Sequence, residues 1–244
     1  MRDVKLTGGE PLVREDLEEI VGRISPYVEV SMTTNGSMLE HRAQALKGAG
    51  LRRVNVSVDS LRPEEFAEIR GGQLAPVLRG VRAALDAKLV PVKLNMVLYK
   101  EALHRLDEMI SLVGTTTGLE LQLIQFMPEM AWQQAHAIKV ADVHKHLANL
   151  ATESTRREMH HRRRYRINDA WVELVDPVNN ADFCMNCHRV RVTHDGKLKG
   201  CLNRNDDLIA TRGLDDEGLR AALRNVVARR APFYQAPTPL VRTR

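Results

Sequence analysis

Cys184, Cys187 and Cys201 are the only cysteines in the 244-residue chain, and they are spaced C-x2-C-x13-C. An odd, clustered set does not build a disulfide framework. It points to a metal or redox site in a reducing compartment. A pair two apart can grip one metal centre, and a hairpin can bring back the third thiolate. The sequence offers that hairpin: Arg189 to Thr193 and Lys197 to Cys201 flank Asp195-Gly196, a strong two-residue turn signal. Zinc wants a fourth ligand. His188 is poorly placed beside Cys187 to share its metal, whereas His194 lies at the hairpin tip. An iron–sulfur cubane on three thiolates leaves one iron open to a substrate atom. Spacing alone leaves zinc and iron–sulfur both open, with three buried free thiols as the bland alternative.

Other residues could surround a ligand. Thr7-Gly8-Gly9-Glu10-Pro11 follows a strand-like start; its glycines let main-chain groups approach a ligand, and Glu10 could accept from a ligand amine. A plain strand-to-helix turn would look the same. Thr34, Ser57, Asp59, Asn95 and Met127 fall at the ends of successive strand-like segments. Singly, such short polar residues cap the next helix; together they favour a site on one face. Lys5, Lys93, Arg189 and Arg191 are basic and near these places, and alternating Arg189 and Arg191 can clamp a phosphate chain. In the basic run His160 to Arg164, Arg162 to Arg164 read as solvated surface, and without interleaved aromatics they do not suggest nucleic acid.

The elements that would position these groups follow a βα rhythm. Strands are expected at Asp3–Thr7, Val28–Thr34, Arg53–Asp59, Val90–Leu98 and Leu119–Phe126. Helices are expected at Leu12–Ile24, Met38–Ala49, from Pro63, at Val77–Ala87 and at Leu103–Val113. Such alternation means a parallel sheet, and without GxGxxG after the first strand a barrel or an arc of one is the better reading. After Pro128 the rhythm stops. A helix at Val140–Glu153, short strands at Tyr165–Asn168 and Trp171–Val175, and a terminal helix at Leu214–Val227 follow. The expected division is residues 1–128 for the partial barrel and 129–244 for an α+β extension.

Composition bounds the answer without choosing it. Hydrophobic residues at 43% and charged residues at 27% are ordinary for a globular chain. Aromatics at 4% leave an aliphatic core, and the net charge of +5 is compatible with an anionic ligand. No stretch reaches the length of a membrane span, and the first residues hold no apolar signal core.

Taken together, KLTGGEPLVREDL, MTTNGSML, GLRRVNVSVDSL, VKLNMV, LIQFMPE and CMNCHRVRVTHDGKLKGCL resemble the radical S-adenosylmethionine (SAM) GTP 3′,8-cyclases of molybdenum-cofactor biosynthesis, from about Val4 to Val227. The resemblance implies an α/β fold: an incomplete triosephosphate-isomerase-type barrel with a C-terminal α+β extension. It implies one 4Fe–4S cluster that cleaves SAM and a second that contacts the guanine of GTP. A 5′-deoxyadenosyl radical then takes the 3′ hydrogen of GTP, and the ribose carbon joins guanine C8 to give 3′,8-cyclo-7,8-dihydro-GTP. Carried over, Cys184, Cys187 and Cys201 resemble the ligands of the second cluster. Gly9, Thr34, Ser57, Lys93 and Met127 resemble SAM contacts. Arg189 and Arg191 resemble catalytic substrate contacts, with Lys5 a further substrate contact. The implied partners are GTP, SAM, an electron donor and the next enzyme of molybdopterin synthesis, in a cytoplasmic protein, as a possible homodimer, with no nucleic acid and no membrane.

The chain also departs from the pattern. CxxxCxxC, the ligand motif of the SAM-cleaving cluster, is not in this sequence, and Met1 to Asp3 alone precede the first strand. The expectation is a fragment or a mis-assigned start, lacking the first βα unit and unable to cleave SAM by itself. Gln122 stands where the resemblance leads one to expect an arginine, and the chain ends Val241 to Arg244 without a Gly-Gly pair. A peptide-modifying radical SAM maturase and a non-enzymatic zinc- or cluster-binding module are the rival readings.

Overall fold

A computed structural model describes residues 2–233. The chain divides into two compact units, Met1–Thr155 with Arg163–Val175, and Arg156–Arg162 with Asp176–Arg244. The chain end at 241–244, where a Gly-Gly pair was sought, lies outside the described residues.

The first unit is built on an eight-stranded sheet. Its strands are β1 (Asp3–Leu6), β2 (Glu29–Thr34), β3 (Leu51–Ser57), β4 (Val92–Leu98), β5 (Leu119–Gln125), β6 (Glu153–Arg156), β7 (Arg163–Ile167) and β8 (Ala170–Val175). They lie in the order β1-β2-β3-β4-β5-β8-β7-β6. Strands β1 to β5 run parallel, β8 joins parallel to β5, and β7 returns antiparallel to β8. The expected α/β class and mostly parallel sheet are present. The sheet continues beyond residue 128, because Val172 and Leu174 on β8 pair in register with Leu121 and Leu123 and extend the same apolar face.

Helices connect the parallel strands: α1 (Leu17–Ile24), α2 (Leu39–Gly48), α3 (Pro63–Arg70), α4 (Leu74–Asp86) and α5 (Leu106–Thr115), with α6 (Val140–Leu150) after β5. All but α3, which buries Phe66 alone, bury a stripe at helical spacing, such as Leu39, Ala43 and Leu46 on α2 or Leu106, Met109, Ile110 and Val113 on α5. Start signals agree with structure where they are strong. Pro63 occupies the first turn of α3 with Glu64 and Glu65, where a missing N–H costs nothing and acidic groups meet the helix dipole. The helix expected over Val140–Glu153 stops at Leu150, and Glu153–Arg156 forms β6 instead. There Thr152 N–H donates to the Arg166 carbonyl (2.9 Å), so cross-strand bonding outcompetes another helical turn.

The second unit is small. It holds α7 (Ala181–Met185), α8 (Asp216–Ala228) and an antiparallel sheet in the order β11 (Ile209–Ala210), β10 (Lys197–Lys199), β9 (Arg191–Val192). Its buried apolar core among the described residues is Leu198, Ala222 and Val226, with Val190 and Ile209 packed against it. The hairpin at Asp195-Gly196 is as expected, closed by Thr193 N–H to the Lys197 carbonyl (2.8 Å). Its first strand is shorter than expected and leaves Arg189 in the approach to it.

Candidate functional site

Parallel sheets covered on both faces are usually apolar throughout. Here only one face is. Met32, Val54, Val56, Leu94, Met96, Leu121, Leu123, Val172 and Leu174 are buried on it. The opposite face is polar from edge to edge, because residues in register share a face: Lys5 with Ser31, Asn55 with Lys93, Ser57 with Asn95, Lys93 with Glu120, Asn95 with Gln122, and Gln122 with Glu173. Polar side chains held at this depth need partners, and they form a ladder. Lys5 Nζ donates to Asn55 Oδ1 (3.0 Å), Asn55 Nδ2 to Asn95 Oδ1 (3.0 Å), and Gln122 Nε2 to the same oxygen (3.1 Å). Beside it, the Lys93 ammonium lies 2.9 Å from Glu173 and 3.0 Å from Glu120. Arg164 reaches Glu120 (3.2 Å) and lies over the Trp171 ring (4.3 Å). Within this network two cations meet two carboxylates, and Lys5 is a further cation on the same face.

The strand ends divide into fasteners and open groups. Glu10 Oε1 accepts from Leu12 N–H (3.0 Å) and from the Thr34 hydroxyl (2.6 Å), and Oε2 accepts from Asn35 N–H (2.6 Å). The Thr34 hydroxyl also accepts from Gly36 N–H (3.0 Å). Asp59 accepts from Val97 N–H (2.7 Å) and pairs with Arg70 (2.5 Å), while Ser60 donates to Glu65 (2.9 Å). That hydroxyl, with His104, Arg105 and Arg62 around it, lowers the Glu65 carboxyl to about 2. Glu10, Thr34, Asp59 and Ser60 thus tie loops to strands. Ser57 carries a hydroxyl without a hydrogen-bond partner among the described residues, and Met127 stands half-buried just past β5. Gly8 and Gly9 adopt φ of +94° and +46°, with no atom within 4 Å of where a Cβ would stand. Backbone conformation, not crowding, requires glycine there, and it leaves main-chain groups open beside the polar face.

In the second unit Cys184, Cys187 and Cys201 are free and half-buried. Asn180 caps α7 by accepting from Phe183 N–H (3.0 Å), and Cys187 N–H donates to the Cys184 carbonyl (3.2 Å), so the two-cysteine loop turns tightly at the helix end. Cys201 follows β10 behind Gly200, where a Cβ would lie 2.5 Å from Asp207 Oδ2. That oxygen accepts from Gly200 N–H (3.0 Å), while Asp207 Oδ1 is buried without a hydrogen-bond partner. Arg191 links the thiols electrostatically: burial lowers its pKa, Cys187 and Cys201 raise it, and Arg189 and Arg230 lower it. Its Nη1 is buried without a hydrogen-bond partner among the described residues. Among the described residues no three or more His, Cys, Asp or Glu gather as a ready-made site for a metal ion. By their chemistry, three free thiols are a donor set that an iron–sulfur cubane takes, one thiolate to each of three irons.

One expectation is corrected in part. Of Arg162 to Arg164 only Arg163 is exposed: Arg162 is 8% exposed and Arg164 belongs to the ion network above, and the neighbouring His160 is 4% exposed. Burial is tolerated because each flat cationic or aromatic head stacks or pairs. His160 lies on Phe183 with ring centroids 4.0 Å apart and an interplanar angle of 7°. Its ring is held neutral, with a pKa of about 3, first by burial and then by Arg189, Arg162, Arg191 and Arg230. Glu120, Glu173 and His160 were missed as site residues. The alternation in LELQLIQ and AWVELV carried a signal for the carboxylates; nothing local marked His160.

Comparison with known proteins adds an independent line. The Radical SAM superfamily model matches residues 1–113, and the Molybdenum Cofactor Synthesis C model matches residues 119–236. A probable GTP 3′,8-cyclase of Halobacterium salinarum is 48% identical over 258 residues, covering 95% of this chain and 71% of the relative. One of Methanosarcina mazei is 44% identical over 251 residues, covering 99% and 73%. Among solved structures, Streptococcus suis SuiB bound to S-adenosylmethionine superposes with a TM-score of 0.66 at 11% identity, over 90% of this chain and 56% of that one, which is a likeness of fold.

Proposed function

This chain belongs to the GTP 3′,8-cyclase family of radical SAM enzymes, and on that premise we propose that it acts on GTP in the first step of molybdopterin synthesis, with SAM at the first unit and a 4Fe–4S cluster on Cys184, Cys187 and Cys201 of the second. The observation that carries the assignment is the pairing of a polar-faced parallel sheet with a separate three-thiol, arginine-rich unit. SAM with its 4Fe–4S cluster would supply a carbon radical by one-electron reduction, but the CxxxCxxC ligands of that cluster are not in this sequence, so these residues alone would bind SAM without cleaving it; a cluster on the three thiols would offer an open iron to the base.

The protein's own groups bind and orient. Gly9 would meet the SAM amino group through its main chain, and Ser57 has a hydroxyl to spare for the ligand. Thr34 acts through position: its hydroxyl is already engaged, so it sets Glu10 and the main chain of the Asn35-Gly36 turn. Lys93 belongs to the set as the cation that keeps Glu120 and Glu173 compatible with a buried ligand face. Met127 offers an apolar, polarizable contact. Arg189 and Arg191 would hold the triphosphate, with Arg191 the more effective because burial weakens screening of its charge. Lys5 and Gln122 stand at the two ends of the ladder on the polar face of the first unit. The functional division we draw is residues 1–128 for SAM and 129–244 for GTP. We further infer a cytoplasmic enzyme, a homodimer in solution, a one-electron donor, and delivery of product to the next enzyme of the pathway. No helix among the described residues is long and apolar enough to cross a membrane.

The test is anaerobic reconstitution of the chain. Iron near four atoms per chain and a cluster spectrum are expected, both lost in C184S, C187S or C201S. GTP binding should weaken at least about tenfold in R191A, the loss of one charge-assisted bidentate contact. Zinc without iron, or GTP binding indifferent to Arg189 and Arg191, refutes the assignment.

A further inference from the structure

We propose that Met159 to Arg162, and His160 above all, is a clamp that holds the Cys184–Cys187 loop in its ligating shape before any metal arrives; His160 is a positioning residue and not a ligand. The proposal deepens the cluster reading and rests on it for its purpose, though not for its geometry.

The contacts interleave with the cysteines. The His160 ring covers Phe183, the residue before Cys184. The His160 main-chain N–H donates to the carbonyl of Asn186, the residue before Cys187, at 2.7 Å. Next along the chain, His161 Nδ1 lies 2.9 Å from Asp182 Oδ1 and 3.1 Å from Asn186 Nδ2. Asn186 Nδ2 in turn donates to Asp182 Oδ1 (3.0 Å) and to the Asp182 carbonyl (2.8 Å). Positions 182, 183 and 186 are thus all held from one segment, immediately before Cys184 and immediately before Cys187.

The segment is strained to do this. His160 and His161 have φ of +64° and +49°, a left-handed region that L side chains disfavour. Two such residues in succession persist where surrounding contacts over-determine them. The choice of side chain is also telling. Burial first, and then the charges of Arg189, Arg162, Arg191 and Arg230, disfavour a protonated ring here, so a charged plate would be repelled, whereas a neutral imidazole can lie flat on Phe183. His160 Nδ1 is buried without a hydrogen-bond partner among the described residues, so the ring is kept here for its shape at a desolvation cost.

The test uses the full chain without metal. Under anaerobic conditions the three thiols are alkylated with iodoacetamide, and each is followed separately by mass spectrometry. In His160→Gly, which keeps the backbone angle and N–H but removes the plate, Cys184 and Cys187 should react about three- to tenfold faster, the change expected from losing one aromatic stack. Cys201 should react as in the wild type. Phe183→Ala should reproduce this pattern, and the double variant should be no worse than either single one. His160→Phe, which restores the plate, should return both rates to near wild type, with iron retention after reconstitution following the same order. Acceleration shared by Cys201, no acceleration at all, or a His160→Phe variant no better than His160→Gly overturns the clamp. If instead the wild-type chain takes up no iron, the cluster reading fails while the alkylation pattern still decides the clamp.

Discussion

Replacing Lys93 by methionine removes the cation that lies 2.9 Å from Glu173 and 3.0 Å from Glu120. The side chains of Lys93 and Glu173 are 8% and 1% exposed, so this is a buried network and not a surface pair. Breaking such a network from one side costs about 3–5 kcal/mol, because carboxylates stay desolvated with one cation fewer. A unit of this size loses about 2–4 °C per kcal/mol, so the melting midpoint should fall by about 6–20 °C. Both tryptophans, Trp132 and Trp171, lie in the first unit, so fluorescence in a urea titration at pH 7 reports on its unfolding alone. Glu173→Gln should cost less, since Lys93 keeps Glu120. Lys93→Met with Glu173→Met should recover most of the loss, because an apolar pair of similar size needs no compensation. A loss under about 1 kcal/mol for Lys93→Met is what a solvated surface pair gives, and would refute the buried network.

Three further outcomes are expected. Glu10→Ala removes the acceptor of three hydrogen bonds and should destabilise the first unit by about 2–4 kcal/mol in the same titration, with Glu10→Gln retaining part of it. Gly200→Ala drives a methyl group into Asp207 and should lower the melting temperature of the second unit by circular dichroism, at a cost of about 1–3 kcal/mol, whereas Gly213→Ala, with no atom near, meets only its positive φ. His160 has a folded pKa of about 3, below its ordinary 6.5, so the unfolded chain takes up a proton first as pH falls. Its contribution to stability is present above about pH 6.5 and declines by up to about 1.4 kcal/mol per pH unit down to about pH 3; wild type minus His160→Asn across that window should show this slope.

Much of the first unit was legible locally. Alternation in RVNVSVD and LELQLIQ, Pro63 before Glu64 and Glu65, and Asn35-Gly36 after a β-rich run each report on short-range geometry that the chain itself dictates. Boundaries moved where long-range bonds decided them, as at Thr152 and β6. The strand-end residues were visible as a group, but their division into fasteners and open groups was not. Glu10 and Thr34 are 24 residues apart, and only the parallel pairing of neighbouring strands brings a carboxylate onto that hydroxyl.

The sequence alone determined the βα rhythm, the C-x2-C-x13-C thiols with their hairpin, and membership of a family whose motifs it carries, because each depends on residue types at fixed spacing. Tertiary structure decided the rest. Lys93 became part of an ion network only when β4, β5 and β8 came into register. A basic run that reads as solvent-loving became partly a wall of the thiol loop, because burying a histidine among guanidiniums is affordable only when Phe183 and the Asn186 carbonyl wait on the other side. Charge and polarity are properties of a residue; whether they meet water or a partner is a property of the fold.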